Sequence, residues 1–136
     1  MKNGLRSIAL AAMAVLLAAC ATTPPDPSKT VDGVLVNPTG MTLYTFDRDV
    51  GGSGKSVCNG PCATNWPPYL VTGAGTSSAA FQVITRDDGS KQWAYKDWPV
   101  YTNVNDAKAG DAIGEGVSSF KDGITGLSWQ VATLLQ

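Results

Sequence analysis

The stretch LYTFDRD, residues 43–49, is answered later in the chain by VYTNVND, residues 100–106. Tyr44 aligns with Tyr101, Thr45 with Thr102 and Asp49 with Asp106. In both copies a strand-like run carrying the tyrosine leads into a polar loop rich in glycine, DVGGSGKS after the first and AKAGDAIGEG after the second. Two copies are too few for a solenoid or a propeller, in which at least about three units must stack to bury their faces. They can build a pseudo-two-fold domain in which each half covers the other's apolar face.

The rest of the pattern agrees with short strands. VDGVLVN (31–37) and MTLYTF (41–46) are predicted as two strands, with the turn residues Pro38 and Gly40 between them. FQVITR (81–86) and KQWAYK (91–96) flank DDGS, a hairpin turn. In that hairpin Phe81 and Val83 share one face, as do Trp93 and Tyr95. WPVYTN (98–103), LSWQVATLL (127–135) and PPYLV (67–71) supply further strands, with Pro99 restricted to a strand start or an edge. PCATNW (61–66) is predicted as one helical turn, begun by Pro61 and stopped by Pro67. The expected fold is all-β: a small antiparallel, hairpin-built domain, sheet or sandwich, over residues 30–136. Its two pseudo-symmetric repeats fall near 31–71 and 81–135.

Residues 1–19 have the form of a lipoprotein signal peptide. Lys2 and Arg6 give a positive start, and Ser7 to Leu17 is almost wholly apolar but too short to span a bilayer. The segment ends in LAAC, residues 17–20, a lipobox whose Cys20 thiol takes the diacylglyceryl group. The competing reading is an ordinary signal peptide cut near Ala21. Each buried methylene contributes ~0.8 kcal/mol, so more than one acyl chain on Cys20 would hold the protein stably at a membrane. The proline-rich stretch ATTPPDPSK (21–29) then reads as a stiff tether, reaching roughly 28 Å at ~3.1 Å per residue. The expected location is the cell envelope. In a Gram-negative host, Ala21 in place of aspartate directs a lipoprotein to the outer membrane, facing the periplasm.

Charge and composition exclude several classes. Setting aside Lys2 and Arg6 leaves eight basic against eleven acidic side chains, a net charge near −3, with no basic patch for nucleic acid. The chain contains no histidine, which removes the commonest general base, zinc ligand and haem ligand together. GGSGKS (51–56) resembles a phosphate loop, but Asp49 stands where that pattern requires its first glycine, so no nucleotide is expected. No cofactor, metal or catalytic residue is assigned.

Cys58 and Cys62 are the two cysteines left once Cys20 is acylated. Three readings stand: a structural disulfide, as an oxidising envelope favours, a redox dithiol, or metal thiolates. Two thiolates without histidine are too few for a structural zinc site. Asp47, Asp49, Asp106, Asp111 and Glu115 lie in or beside the two loops. They suit calcium less than turn duty, because Cys58 stands where a calcium loop beginning at Asp47 needs glutamate. Among the aromatics, Trp66 and Trp98 are the candidates for stacking on a sugar or a partner, with Trp98 expected to be the most exposed.

At Tyr44, Phe46 and Asp49 the sequence resembles bacterial predicted lipoproteins with a Yx(FWY)xxD motif, also described as a secreted repeat of unknown function. CNGPCATNWPP (58–68) resembles that family's cysteine-bearing segment, and DWPVYTNVNDAKAGDAIGEG (97–116) resembles its second repeat, with Tyr101 and Asp106 in the motif positions. Asn103 departs from the pattern, standing where the second repeat should carry an aromatic. The resemblance implies a secreted or lipid-anchored envelope protein and no established activity. The expectation is therefore a non-enzymatic binding or structural module, held to the membrane by its lipid and facing an envelope protein or cell-wall glycan. The alternatives are an envelope redox accessory protein using Cys58 and Cys62, and a glycan-processing enzyme using carboxylates.

Overall fold

The computed structural model describes residues 27–118 and 129–134. The signal segment and Cys20 lie outside the described residues, as do residues 127, 128 and 135 of the last expected strand.

The described residues fold as three small antiparallel sheets joined by single bridges. In the first, β1 (Lys29–Val31) pairs with β2 (Val34–Val36). This corrects the expectation of one strand over 31–37. Asp32 and Gly33 both adopt left-handed backbone, with φ of 50° and 83°, as a two-residue hairpin turn requires. Asp-Gly is a strong hairpin signal, hidden here in a run of valines and leucine that reads as continuous strand. From β2 the chain turns through Asn37, whose Oδ1 accepts the N–H groups of Thr39 and Met41, each at 3.0 Å. It enters β3 (Tyr44–Phe46), which pairs with β7 (Trp129–Val131) in the second sheet.

The third sheet contains β4 (Phe81–Thr85), β5 (Lys91–Tyr95) and β6 (Trp98–Pro99), in that order, with Pro99 on the outer strand. The DDGS turn closes the β4–β5 hairpin, and Phe81 and Val83 face Tyr95 and Trp93 across it. α1 (Pro61–Asn65) is the single helical turn expected between two prolines. Residues 67–71 form no regular strand. Pro68 and Leu70 instead bridge to Tyr101 and Gln92, and the Tyr69 N–H reaches the Val100 carbonyl at 3.0 Å. Pro67 and Pro68 have no N–H to donate, so a full ladder cannot form there.

Where the two repeats meet, Tyr44 and Tyr101 pair directly. Tyr44 N–H donates to the Tyr101 carbonyl at 2.8 Å, and Tyr101 N–H to the Tyr44 carbonyl at 2.9 Å. Neighbouring side chains on a strand point to opposite faces. Leu43 and Val100 accordingly enter one core with Leu35, Phe81, Trp93, Tyr95 and Ala132. Tyr44 and Tyr101 enter a second core with Phe46, Cys58, Trp66 and Trp129. The repeat boundary is thus a short ladder with a hydrophobic core on either side.

Candidate functional site: two crossed tyrosine–aspartate locks

The motif residues converge in the second core, and their pairing crosses the repeats. The Tyr101 hydroxyl of the second repeat donates to Asp49 Oδ2 of the first at 2.5 Å. The Tyr44 hydroxyl of the first donates to Asp106 Oδ2 of the second at 2.7 Å. Tyr44 and Tyr101 are fully buried, and Asp49 and Asp106 nearly so.

Each aspartate is placed by the same local turn. Asp49 N–H returns to the Phe46 carbonyl at 3.0 Å, and Asp106 N–H to the Asn103 carbonyl at 3.2 Å. The remaining carboxylate oxygen then accepts a loop N–H: Val57 onto Asp49 Oδ1 at 2.8 Å, and Ile113 onto Asp106 Oδ1 at 2.9 Å. A buried carboxylate that binds a phenol and a loop N–H ties down a backbone that would otherwise turn with unpaired groups.

Burial acts on these groups in one direction. It raises the Tyr44 phenol well above its ordinary pKa, and the bond to Asp106 adds to the effect. It raises Tyr101 likewise, helped by the charge of Asp49 and the bond to it, and opposed by Ser56 and the Gln92 amide. Burial also lifts Asp49 above the usual carboxylate range, against the pull of Tyr101, the Val57 N–H and Arg86.

The surroundings of the two locks differ. At the first, Ser56 Oγ lies 2.7 Å from the Tyr101 hydroxyl and 3.0 Å from Arg86 Nη1. Arg86 is only 4% exposed. It also donates to Gln92 Oε1 at 2.7 Å, to the Cys58 carbonyl at 2.5 Å and to Asn59 Oδ1 at 3.2 Å. Cys58 and Cys62 are joined in a disulfide with their Cα atoms 5.2 Å apart, and Cys58 is fully buried. At the second lock no side chain among the described residues takes the place of Ser56. The Gly114 N–H approaches the Tyr44 hydroxyl at 3.3 Å instead. Glu115 next door accepts the Val131 N–H at 2.5 Å, tying this loop to β7.

An aromatic stack lies between the locks. Trp129 is sandwiched by Phe46, with ring centroids 4.1 Å apart, and by Trp66, at 3.8 Å, all nearly parallel. Tyr44 meets Trp66 edge-on and Tyr101 meets Trp129 edge-on. This corrects the expectation for Trp66 as a binding aromatic: it is 7% exposed, and a core ring covers its face. Trp98 is half-buried and rests on Gly51. Asn103 is buried, and its Oδ1 accepts the Asn105 N–H at 2.8 Å. Its amide closes on Gly114 beside Trp66, where a ring in place of the amide would compete for the space of that indole.

Sequence reasoning assigned no role to Ser56, Arg86 or Gln92. Arg86 directly follows β4, and its 4% exposure and four acceptors reveal an interior cation. Among the described residues no three carboxylates or thiolates gather as a metal site would need. No helix among them is long and apolar enough to cross a membrane. A surface concavity of about 530 Å³ is an open groove bordered by Pro27, Lys29, Pro38, Tyr69 and Trp93, away from both locks. There the Tyr69 hydroxyl holds the Pro27 carbonyl at 2.6 Å, fixing the point where the proline-rich stretch joins the domain.

A family model described as a secreted repeat of unknown function matches the chain twice, over residues 28–69 and 82–123. Each match contains one tyrosine and one aspartate of the crossed locks. No curated protein and no solved structure matches the chain.

Proposed function

The chain belongs to the family of secreted repeats of unknown function, and on that premise we propose that it is a lipid-anchored, non-enzymatic module of the cell envelope that binds or supports another envelope component. One observation carries the reading. The side chains with chemical potential, Tyr44, Tyr101, Asp49, Asp106 and Arg86, are engaged with one another in the interior and do not line the surface groove. A site acting on an external polymer needs such groups at a cleft. A rigid module needs them where these are, holding its loops and its two repeats together. The full burial of Cys58, with Cys62 half-buried, closes one of the two sulfurs to thiol exchange, which supports a structural disulfide over a redox couple. The lipid is assigned to Cys20, and the location to the outer membrane facing the periplasm where the host is Gram-negative.

Two measurements on the exported protein test this. Mass spectrometry should find an acylated Cys20 as the first residue, and isolated cell wall incubated with the protein should release no soluble fragments. An unmodified N-terminus at or beyond Ala21 would end the anchoring claim, and released sugar fragments would end the non-enzymatic one.

A further inference from the structure

The surroundings of the first lock amount to more than a brace. A tyrosine hydroxyl has one proton. Tyr101 gives its proton to Asp49 at 2.5 Å, so the 2.7 Å contact with Ser56 must use the serine's proton. The hydroxyls therefore form a directed chain from Ser56 through Tyr101 to Asp49. Ser56 Oγ in turn accepts from Arg86 Nη1 at 3.0 Å and from the Cys58 N–H at 3.2 Å. A serine whose proton points down a relay to a carboxylate is arranged as a nucleophile once its oxygen gives up the longer of these two bonds, the one from the Cys58 N–H, which frees a lone pair. In a chain without histidine the relay ends on aspartate.

Ser56 is 4% exposed, too enclosed for an external substrate, but it shares its donor with an acyl group. Gln92 is fully buried, and its Oε1 accepts from the same Arg86 Nη1, at 2.7 Å. One guanidinium nitrogen thus holds the oxygen of the nucleophile and the carbonyl oxygen of a carboxamide, neither more than 3.0 Å away. The Gln92 amide nitrogen is fixed by the Val100 carbonyl at 2.9 Å. Arg86 Nε is buried without a partner among the described residues, so the resting arrangement does not saturate the cation.

We propose that Ser56 and Gln92 form an intramolecular ester with loss of ammonia, a covalent tie between the loop of the first repeat and β5 in the second. As the Ser56 proton passes to the Tyr101 oxygen, the Tyr101 proton passes to Asp49. Ser56 Oγ adds to Gln92 Cδ, and the negative charge that gathers on Oε1 faces Arg86. The Cδ–Nε2 bond then breaks, and the proton held by Asp49 returns through Tyr101 to the departing nitrogen. One O–H and one C–N bond are lost, one C–O and one N–H bond are gained, and no electron acceptor is needed. Burial of the product keeps out the water that would hydrolyse it. Among the described residues the second lock has no hydroxyl at the matching place, where the Gly114 N–H stands, so a single tie is expected. The ester does not depend on which envelope component the module serves.

The test is peptide mapping of the full-length exported protein, held until its mass is constant, then denatured, reduced and digested with chymotrypsin, which keeps Gln92 inside its peptide. Cleavage after Phe46, Tyr69, Phe81 and Trp93 separates residues 47–69 from 82–93. The expected product is these two peptides joined and one ammonia lighter than their sum, and hydroxylamine should separate them. Ser56→Ala and Gln92→Glu should each abolish the link. Tyr101→Phe, which cuts the relay, should slow its formation by at least about a hundredfold, with near-ultraviolet circular dichroism reporting that the fold is kept. The two peptides recovered separately with Gln92 intact, or a link that survives Ser56→Ala, would overturn the proposal.

Discussion

The two locks start from one motif and are finished in different ways. At Tyr101 and Asp49 the supporting groups are side chains: Ser56, Gln92 and a buried arginine that also gathers the disulfide loop. At Tyr44 and Asp106 the groups in contact are main chain and packing, the Gly114 N–H and the edge of Trp66, with the Glu115 carboxylate tying the same loop to β7 nearby. The shared residues fix which loop is held and by which strand. The unshared ones decide whether the hold is electrostatic, and so sensitive to losing a charge, or steric, and so sensitive to adding a methyl group.

The largest effect should come from removing the cation of the first lock. Arg86→Met leaves Gln92 Oε1, the Cys58 carbonyl and Ser56 short of a donor and takes the positive neighbour from Asp49. Breaking a buried charged cluster from one side typically costs about 3–5 kcal/mol. A urea titration showing less than about 1 kcal/mol would mean that the first lock does not depend on its charge. The second lock should instead fail to a methyl group. A Cβ on Gly114 would stand 2.5 Å from the Trp66 ring, which is itself stacked on Trp129 and cannot retreat. Gly114→Ala should cost about 1–3 kcal/mol as overpacking. Gly51→Ala meets Trp98 at 2.9 Å, but that indole is half-buried and can shift, so its cost should be clearly smaller. Equal costs at the two glycines would remove the steric account of the second lock.

The smallest effect is a shared one with pH. Both phenols have folded-state pKa values raised above the ordinary value near 10. Their contribution is complete below that pH and is lost as pH rises beyond it, because the unfolded chain ionises first. The melting temperature should therefore fall above about pH 10, and it should fall less steeply in a Tyr44→Phe, Tyr101→Phe double variant. Asp49 is also raised, so its own contribution is complete at low pH and declines as pH rises through its folded value, the reverse of an ordinary surface ion pair. An alkaline slope unchanged in the double variant would show that other groups carry it.

Much of the architecture was written in local signals. DDGS between two alternating runs specifies the β4–β5 hairpin, and prolines at both ends of PCATN specify a single helical turn. The duplicated tyrosine and aspartate announced two equivalent halves. What local signals do not carry is which half each side chain serves. Tyr44 lies five positions from Asp49 and sixty-two from Asp106, yet it bonds the distant one. A tyrosine on a strand cannot fold back onto the loop that leaves its own strand, whereas the antiparallel Tyr44–Tyr101 pair aims each ring across the boundary. Burial of Arg86 was hidden for the same reason. Its strand alternates cleanly, and only the arrival of the disulfide loop from residues 56–59 encloses it. Trp66 resembled an exposed platform because its stacking partner, Trp129, lies far along the chain.

The crossing of the locks is tested most directly by double-mutant cycles in urea. Tyr101→Phe combined with Asp49→Asn, and Tyr44→Phe combined with Asp106→Asn, should each depart from additivity by about 0.5–3 kcal/mol, as residues in direct contact do. Tyr44→Phe combined with Asp49→Asn, the pair within one repeat, should add to within about 0.5 kcal/mol. Coupling inside the repeats, with additivity across them, would contradict the crossed arrangement outright.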